Sequence, residues 1–197
     1  MEPDATTILL LAAGRSSRMR GTDKLMEEID GAPILQIMAR RATRAGVPVR
    51  VVLGPDQETR RAALAGLDLR IVEATDSDGM AASIRAGVEG LTGPVLLVLA
   101  DMPEITAQDL YLMVSLGAQA PQAILRAASR DGQPGHPVLF PADLVPELAQ
   151  IRGDQGARDI LRAAAARVHL LPLAGDRALV DLDTPEAWAQ WRARQGA

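Results

Sequence analysis

Four short apolar runs, TILLLAA (7–13), VRVVLG (49–54), LRIVEA (69–74) and PVLLVLA (94–100), alternate with stretches that carry helix signals. Runs this short and this continuously apolar suit strands buried on both faces, with the intervening helices as their cover. The chain is thereby confined to an α/β fold, a mostly parallel sheet with helices on both faces. In such sheets ligands collect beyond the carboxyl ends of the strands, which directs attention to the loops after residues 13 and 100.

The helix signals fill in the rest. Pro33 suits a first helical turn and Gly46 a stop. Further helices are expected over 56–65 and 80–87, and from a Thr106–Asp109 capping box to about residue 116, closed by Gly117. In the C-terminal half, 123–129, 136–140, 169–173 and 178–183 read as strands and 157–168 as a helix. A last helix follows Thr184 as cap and Pro185 at its first position, with Trp188 and Trp191 as packing residues. There is no repeat and no low-complexity or linker segment, so 1–197 is expected to form a single domain.

Composition narrows the chemistry. With 197 residues and 48% hydrophobic content the chain can bury a substantial core. Cysteine is absent and histidine is limited to His136 and His169, which rules out thiolate chemistry and leaves no cluster for a histidine metal site or a serine triad. A net charge of -4 argues against bulk nucleic-acid binding. The first residues are acidic and lack a basic leader, and the run 95–100 is broken by Asp101 well short of a membrane span. A cytoplasmic, soluble protein is the expectation.

The loop after the first run, AAGRSSRMRGTDK (12–24), sets Arg15, Arg18, Arg20 and Lys24 against Asp23 alone. Ala12, Ala13 and Gly14 remove bulk where the strand ends, so main-chain amides can face a ligand closely. Guanidinium forks and a mobile ammonium suit a polyphosphate, although a solvated basic loop remains the alternative. The loop is neither a dinucleotide fingerprint nor a Walker loop.

Carboxylates complete the picture. Asp101 follows a buried strand directly, and if 180–183 is extended, Asp181 and Asp183 share one face. Together they could hold Mg2+, which takes few carboxylates and shares phosphate oxygens; turn and helix capping are the competing uses. Gly79 and Ser83, after Asp76 and Asp78, open a helix that could meet a nucleotide. Asp154, Gly156 and Arg158 precede a helix in a small-and-charged segment that could hold a second phosphate-bearing substrate, while His136, between Gly135 and Pro137, either orients toward a ligand or satisfies the loop backbone. A polyphosphate clamp facing strand-end carboxylates suits phosphoryl or nucleotidyl transfer by charge stabilisation.

The segments LAAGRSSRMRGTDKL, SDGMAASIRAG, LADMPEIT, GHPVLFP, GDQGARDIL and DLDTPEAW, in this order, resemble those of the molybdenum cofactor cytidylyltransferases. These belong to a wider nucleotidyltransferase group that also contains the molybdopterin guanylyltransferases. The resemblance implies a Rossmann-like fold that transfers CMP from CTP to the terminal phosphate of molybdenum-bearing molybdopterin, giving pyrophosphate and molybdopterin cytosine dinucleotide. It implies that Gly14, Arg18 and Lys24 hold the triphosphate and that Ala12, Ala13, Gly79 and Ser83 surround the nucleotide. Asp101 and Asp183 would hold Mg2+ with Asp181 nearby, and Gly135, His136, Asp154 and Arg158 would line the pterin side. The form Ala-Ala-Gly leans toward cytidine within this group. A transient contact with a molybdenum hydroxylase of the xanthine dehydrogenase class, or its insertion chaperone, is implied as well. GTP or another phosphorylated acceptor is the alternative within the class, and a non-catalytic molybdopterin carrier is the alternative outside it. Arg20, inserted before Gly21, departs from the family form and leaves the register of 20–24 open.

Overall fold

The computed structural model describes residues 5–75, 79–153 and 157–196. Its strands are β1 (Thr7–Leu11), β2 (Glu28–Ile29), β3 (Ala32–Pro33), β4 (Val49–Leu53), β5 (Arg70–Glu73), β6 (Val95–Leu99), β7 (Ile124–Ala128), β8 (Pro134–Phe140) and β9 (Val168–Pro172). The helices are α1 (Ile34–Thr43), α2 (Glu58–Ala63), α3 (Gly79–Val88), α4 (Ala107–Gln119), α5 (Val145–Leu148), α6 (Arg158–Ala163) and α7 (Pro185–Gln195). Seven strands form one sheet in the order β5-β4-β1-β6-β8-β7-β9, and β2 with β3 forms a separate hairpin. The four apolar runs are the parallel half, β5-β4-β1-β6. The strand β8 then runs antiparallel to both β6 and β7, and β9 pairs parallel to β7.

Alternate residues of the central strands enter opposite cores, as the two-residue period of a strand requires. Ile8, Leu10, Leu96 and Val98 pack with Met38 of α1, Met113 of α4 and Trp188 of α7. Leu9, Val95 and Leu97 pack on the other side with Ile84 of α3, Leu148 of α5 and Ile160 of α6. The two tryptophans of α7 meet edge to face, 6.1 Å between centroids at 81°, and both are buried.

Three local expectations are corrected. Gly117 lies inside α4 and does not close it; a side chain there would sit 2.0 Å from a Leu139 methyl, so the glycine serves close helix-to-sheet packing. Pro33 precedes α1 as part of the small hairpin, whose Asp30-Gly31 turn has φ of 52° and 77°, the left-handed pair that two-residue hairpin turns favour. Residues 178–183 form no strand. They cross the ends of strands, held by His136 N–H donating to the Ala178 carbonyl at 2.9 Å and Leu182 N–H donating to the Asp101 carbonyl at 3.0 Å. Contacts to two separate elements cannot propagate a ladder. Among the described residues, no helix is long and apolar enough to cross a membrane.

Candidate functional site: a basic loop facing aspartates at the sheet edge

The carboxyl ends of β1 and β6 lie level, with Leu11 paired to Leu99, so the loop at 12–24 and Asp101 emerge side by side. The crossing segment 178–183 then brings the third participant. Leu182 is buried in the core, which turns Asp181 and Asp183 the other way, toward the same edge. The alternation expected of an extended segment is present without a ladder.

A cavity of about 560 Å3 opens here, lined by Ala12, Ala13, Gly14, Arg18, Lys24, Gly79, Ser83, Asp101, Asp181 and Asp183. Lys24 lies at its charged centre. Its Nζ hydrogen-bonds Asp101 Oδ2 and, at 2.5 Å, Asp183 Oδ1, while Arg18 Nη1 reaches Asp183 Oδ2 at 2.5 Å. Burial works against the Lys24 ammonium, but the charges of Asp101 and then Asp183 outweigh it and raise its pKa. Burial pushes the Asp183 carboxyl up, and Lys24 and Arg18 overcome this to hold it below the usual carboxylate range. Asp181 is raised, by burial first and then by the neighbouring charges of Asp101 and Asp183.

The residues present fit a hard divalent cation. Asp101 Oδ1 is buried with no hydrogen-bond partner, an acceptor whose burial needs a cation or donor. Among the described residues no group of three acidic or histidine side chains is arranged for a metal. Two carboxylates still suffice for Mg2+, which keeps waters and takes phosphate oxygens.

A second cavity of about 270 Å3 adjoins the first, sharing Leu11, Met80, Leu99 and Asp181. Gly135, His136 and Arg158 line it, together with Arg126, which the sequence reading missed. Arg126 Nε donates to the Gly135 carbonyl at 3.0 Å, and the nearby Arg158 charge adds to burial in lowering its pKa. His136 is brought down to about 4 by burial and then by Arg126, with Asp101 opposing. Asp154 lies outside the described residues, as do Asp76 and Asp78. Ser83 is buried and directs its hydroxyl to the Gly79 carbonyl at 3.4 Å. His169 is exposed on β9, away from both cavities.

Two further residues shape the loop. Arg60 of α2 is only 3% exposed and donates to both Asp23 oxygens, at 2.6 and 2.7 Å, to Ser16 Oγ at 3.2 Å and to the Ala12 carbonyl. Gln57 joins the Gly54 amide, 2.8 Å, to the Ala13 carbonyl, 3.1 Å. Neither stands in a motif, and nothing in the sequence around Arg60 separates it from a surface arginine of a short polar helix. The inserted Arg20 adopts φ +54°, and its guanidinium turns away to Glu186 at 2.6 Å. Lys24 thus keeps its reach, and the added cation points outward.

The sequence matches the family of the MobA-like NTP transferase domain over residues 8–170. It is 34% identical over 191 residues to a molybdenum cofactor guanylyltransferase of Pseudomonas paraeruginosa, covering 93% of each chain. The structure resembles Rv0371c of Mycobacterium tuberculosis H37Rv with TM-score 0.78 at 28% identity, covering 95% of this chain and 97% of that one. It also resembles a manganese complex of that protein, TM-score 0.74 at 26% identity, with the same coverage. The fold is accordingly the Rossmann-like nucleotidyltransferase fold.

These relatives overturn the cytidylyltransferase expectation, and with it CTP as substrate and partner, CMP transfer and the cytosine dinucleotide product, because the curated molybdenum cofactor enzymes found are guanylyltransferases. Ala12 is 1% exposed and its carbonyl accepts from Arg60, while the Ala13 carbonyl accepts from Gln57, so the main chain of this stretch is tied to the segment around α2. On the match over residues 8–170, this chain belongs to the MobA-like NTP transferase family.

Proposed function

We propose that the protein transfers GMP from GTP to the terminal phosphate of molybdenum-bearing molybdopterin, releasing pyrophosphate and forming the guanine dinucleotide. The curated relatives support the choice of nucleotide and acceptor. The observation that carries the reading is the convergence of Arg18, Lys24, Asp101 and Asp183 at one cavity, beside a second cavity bearing Arg126 and Arg158. One sheet carries both, which supports reading the chain as a single nucleotidyltransferase unit.

In this reading Gly14, Arg18 and Lys24 hold the triphosphate, and Ala12, Ala13, Gly79 and Ser83 shape the nucleotide cavity. Asp101 and Asp183 hold Mg2+, with Asp181 nearby; the ion supplies charge neutralisation for the phosphate oxygens. Gly135, His136, Arg158 and Arg126 line the acceptor side. A phosphate monoester has a second pKa near 6, so the acceptor is largely ionised at neutral pH and no general base is required. An acceptor oxygen bonds to the α-phosphorus as the α–β phosphoanhydride bond breaks, and pyrophosphate departs toward Arg18 and Lys24.

The test is pyrophosphate release with GTP or CTP, Mg2+ and purified molybdopterin. Release with GTP is expected. Turnover with CTP alone would overturn the guanylyl reading, and tight pterin binding with no pyrophosphate from either nucleotide would indicate a carrier.

A further inference from the structure

Lys24 occupies the point at which two carboxylates converge. Its side chain is 14% exposed and that of Asp101 12%, and the ammonium touches oxygens of Asp101 and Asp183, which lie 77 and 159 positions away in the chain. We propose that in the nucleotide-free protein Lys24 is the resident cation of the metal site, excluding the divalent ion until a triphosphate draws the ammonium away. The inference rests on the assignment of Asp101 and Asp183 as the metal-binding carboxylates.

Mg2+ and Mn2+ need carboxylate oxygens at about 2.1 Å in near-octahedral array. An ammonium already bonded to the facing oxygens of both carboxylates, at 2.5 Å for Asp183, fills that space and adds like charge beside the ion. The two cations cannot share it. An incoming triphosphate offers Lys24 other acceptors, since the same cavity contains Gly14, Arg15 and Arg18 where phosphates would lie. Departure of the ammonium frees one oxygen on each carboxylate and leaves Asp101 Oδ1, which has no partner, beside them. Metal and triphosphate therefore bind with positive coupling, and the coupling is reciprocal.

Equilibrium dialysis of the full-length protein with Mn2+, without nucleotide, tests this. Lys24→Met should tighten Mn2+ binding by about tenfold or more, within the usual range of coupling between sites. Arg18→Met removes an equal charge from the outer oxygen of Asp183 and should change the affinity far less. Equal tightening by both variants would reduce the effect to net charge and overturn the proposal. So would wild-type protein that binds Mn2+ equally well with and without inorganic tripolyphosphate, a measurement that needs no variant to fold. Both probes lack a base, so a failure of guanylyl transfer with coupling intact defeats the functional reading alone. Transfer from GTP without coupling defeats this inference alone.

Discussion

Arg60 and Asp23 form a two-pronged ion pair beneath the basic loop 12–24, with Arg60 Nε and Nη2 at 2.7 and 2.6 Å from the two carboxylate oxygens. Burial raises the Asp23 carboxyl, and Arg60, joined by the Leu25 amide and the Ser16 hydroxyl, more than reverses it, so the acid is held below its usual range. The negative charge that stands among the loop cations in the sequence is thus consumed from below. Among the described residues, Arg18 and Lys24 face the cavity with Asp183 and Asp101 as their counterions.

Arg60→Met leaves Asp23 and the Ala12 carbonyl without their donor. Stability should fall by about 1–3 kcal/mol, the range for a stranded polar group, with Asp23 at 34% side-chain exposure keeping the loss below that of a fully buried pair. The KM for the triphosphate should rise. In the double variant with Asp23→Asn, denaturant melts should recover part of the stability while the KM stays high, because the loop remains unsupported.

Arg20→Ala should be nearly silent. Its partner Glu186 is 56% exposed and its own side chain 76%, and exposed ion pairs contribute about 1 kcal/mol or less. A triphosphate KM unchanged within about twofold in this variant is expected from the outward side chain. A large rise would place Arg20 on the phosphates.

Gly135→Ala should be costly. A Cβ at this position would stand 1.9 Å from the Ala178 carbonyl oxygen, where β8 and the crossing segment touch through the His136–Ala178 hydrogen bond. Separating them should cost about 1–3 kcal/mol, as overpacking does. It should also shift Asp181 and Asp183. Turnover should drop in protein that still melts cooperatively, and a wild-type rate would disconnect the segment from the site.

His136 makes stability depend on pH. Its folded pKa of about 4 lies below the ordinary value of 6.5, so between these values the unfolded chain binds the proton more readily. Stability linked to His136 is fully present above pH 6.5 and is lost as pH falls toward 4. The full span corresponds to about 3 kcal/mol at most. His136→Gln should flatten this part of the profile in melts between pH 7 and 4.5. An unchanged slope would show that His136 is not the group responsible.

The parallel half of the sheet, the basic loop and Asp101 at the end of β6 could be read from the chain alone. Short continuous apolar runs suit a doubly covered strand, and a strand's end determines where its next residues emerge; that reasoning located Gly14, Lys24 and Asp101 at one edge. The Thr106–Asp109 capping box and the Thr184 cap were legible for the same local reason, as each bonds within three residues. Tertiary structure decided the rest. That Lys24 pairs with Asp183 across 159 positions, that Arg60 of α2 supports Asp23 of the loop, and that Gly117 yields to Leu139 are contacts between elements distant in sequence. Local pattern carries which face of a strand is buried and where a helix begins; it does not carry which charge will neutralise which, because that depends on how the packed layers bring remote side chains together.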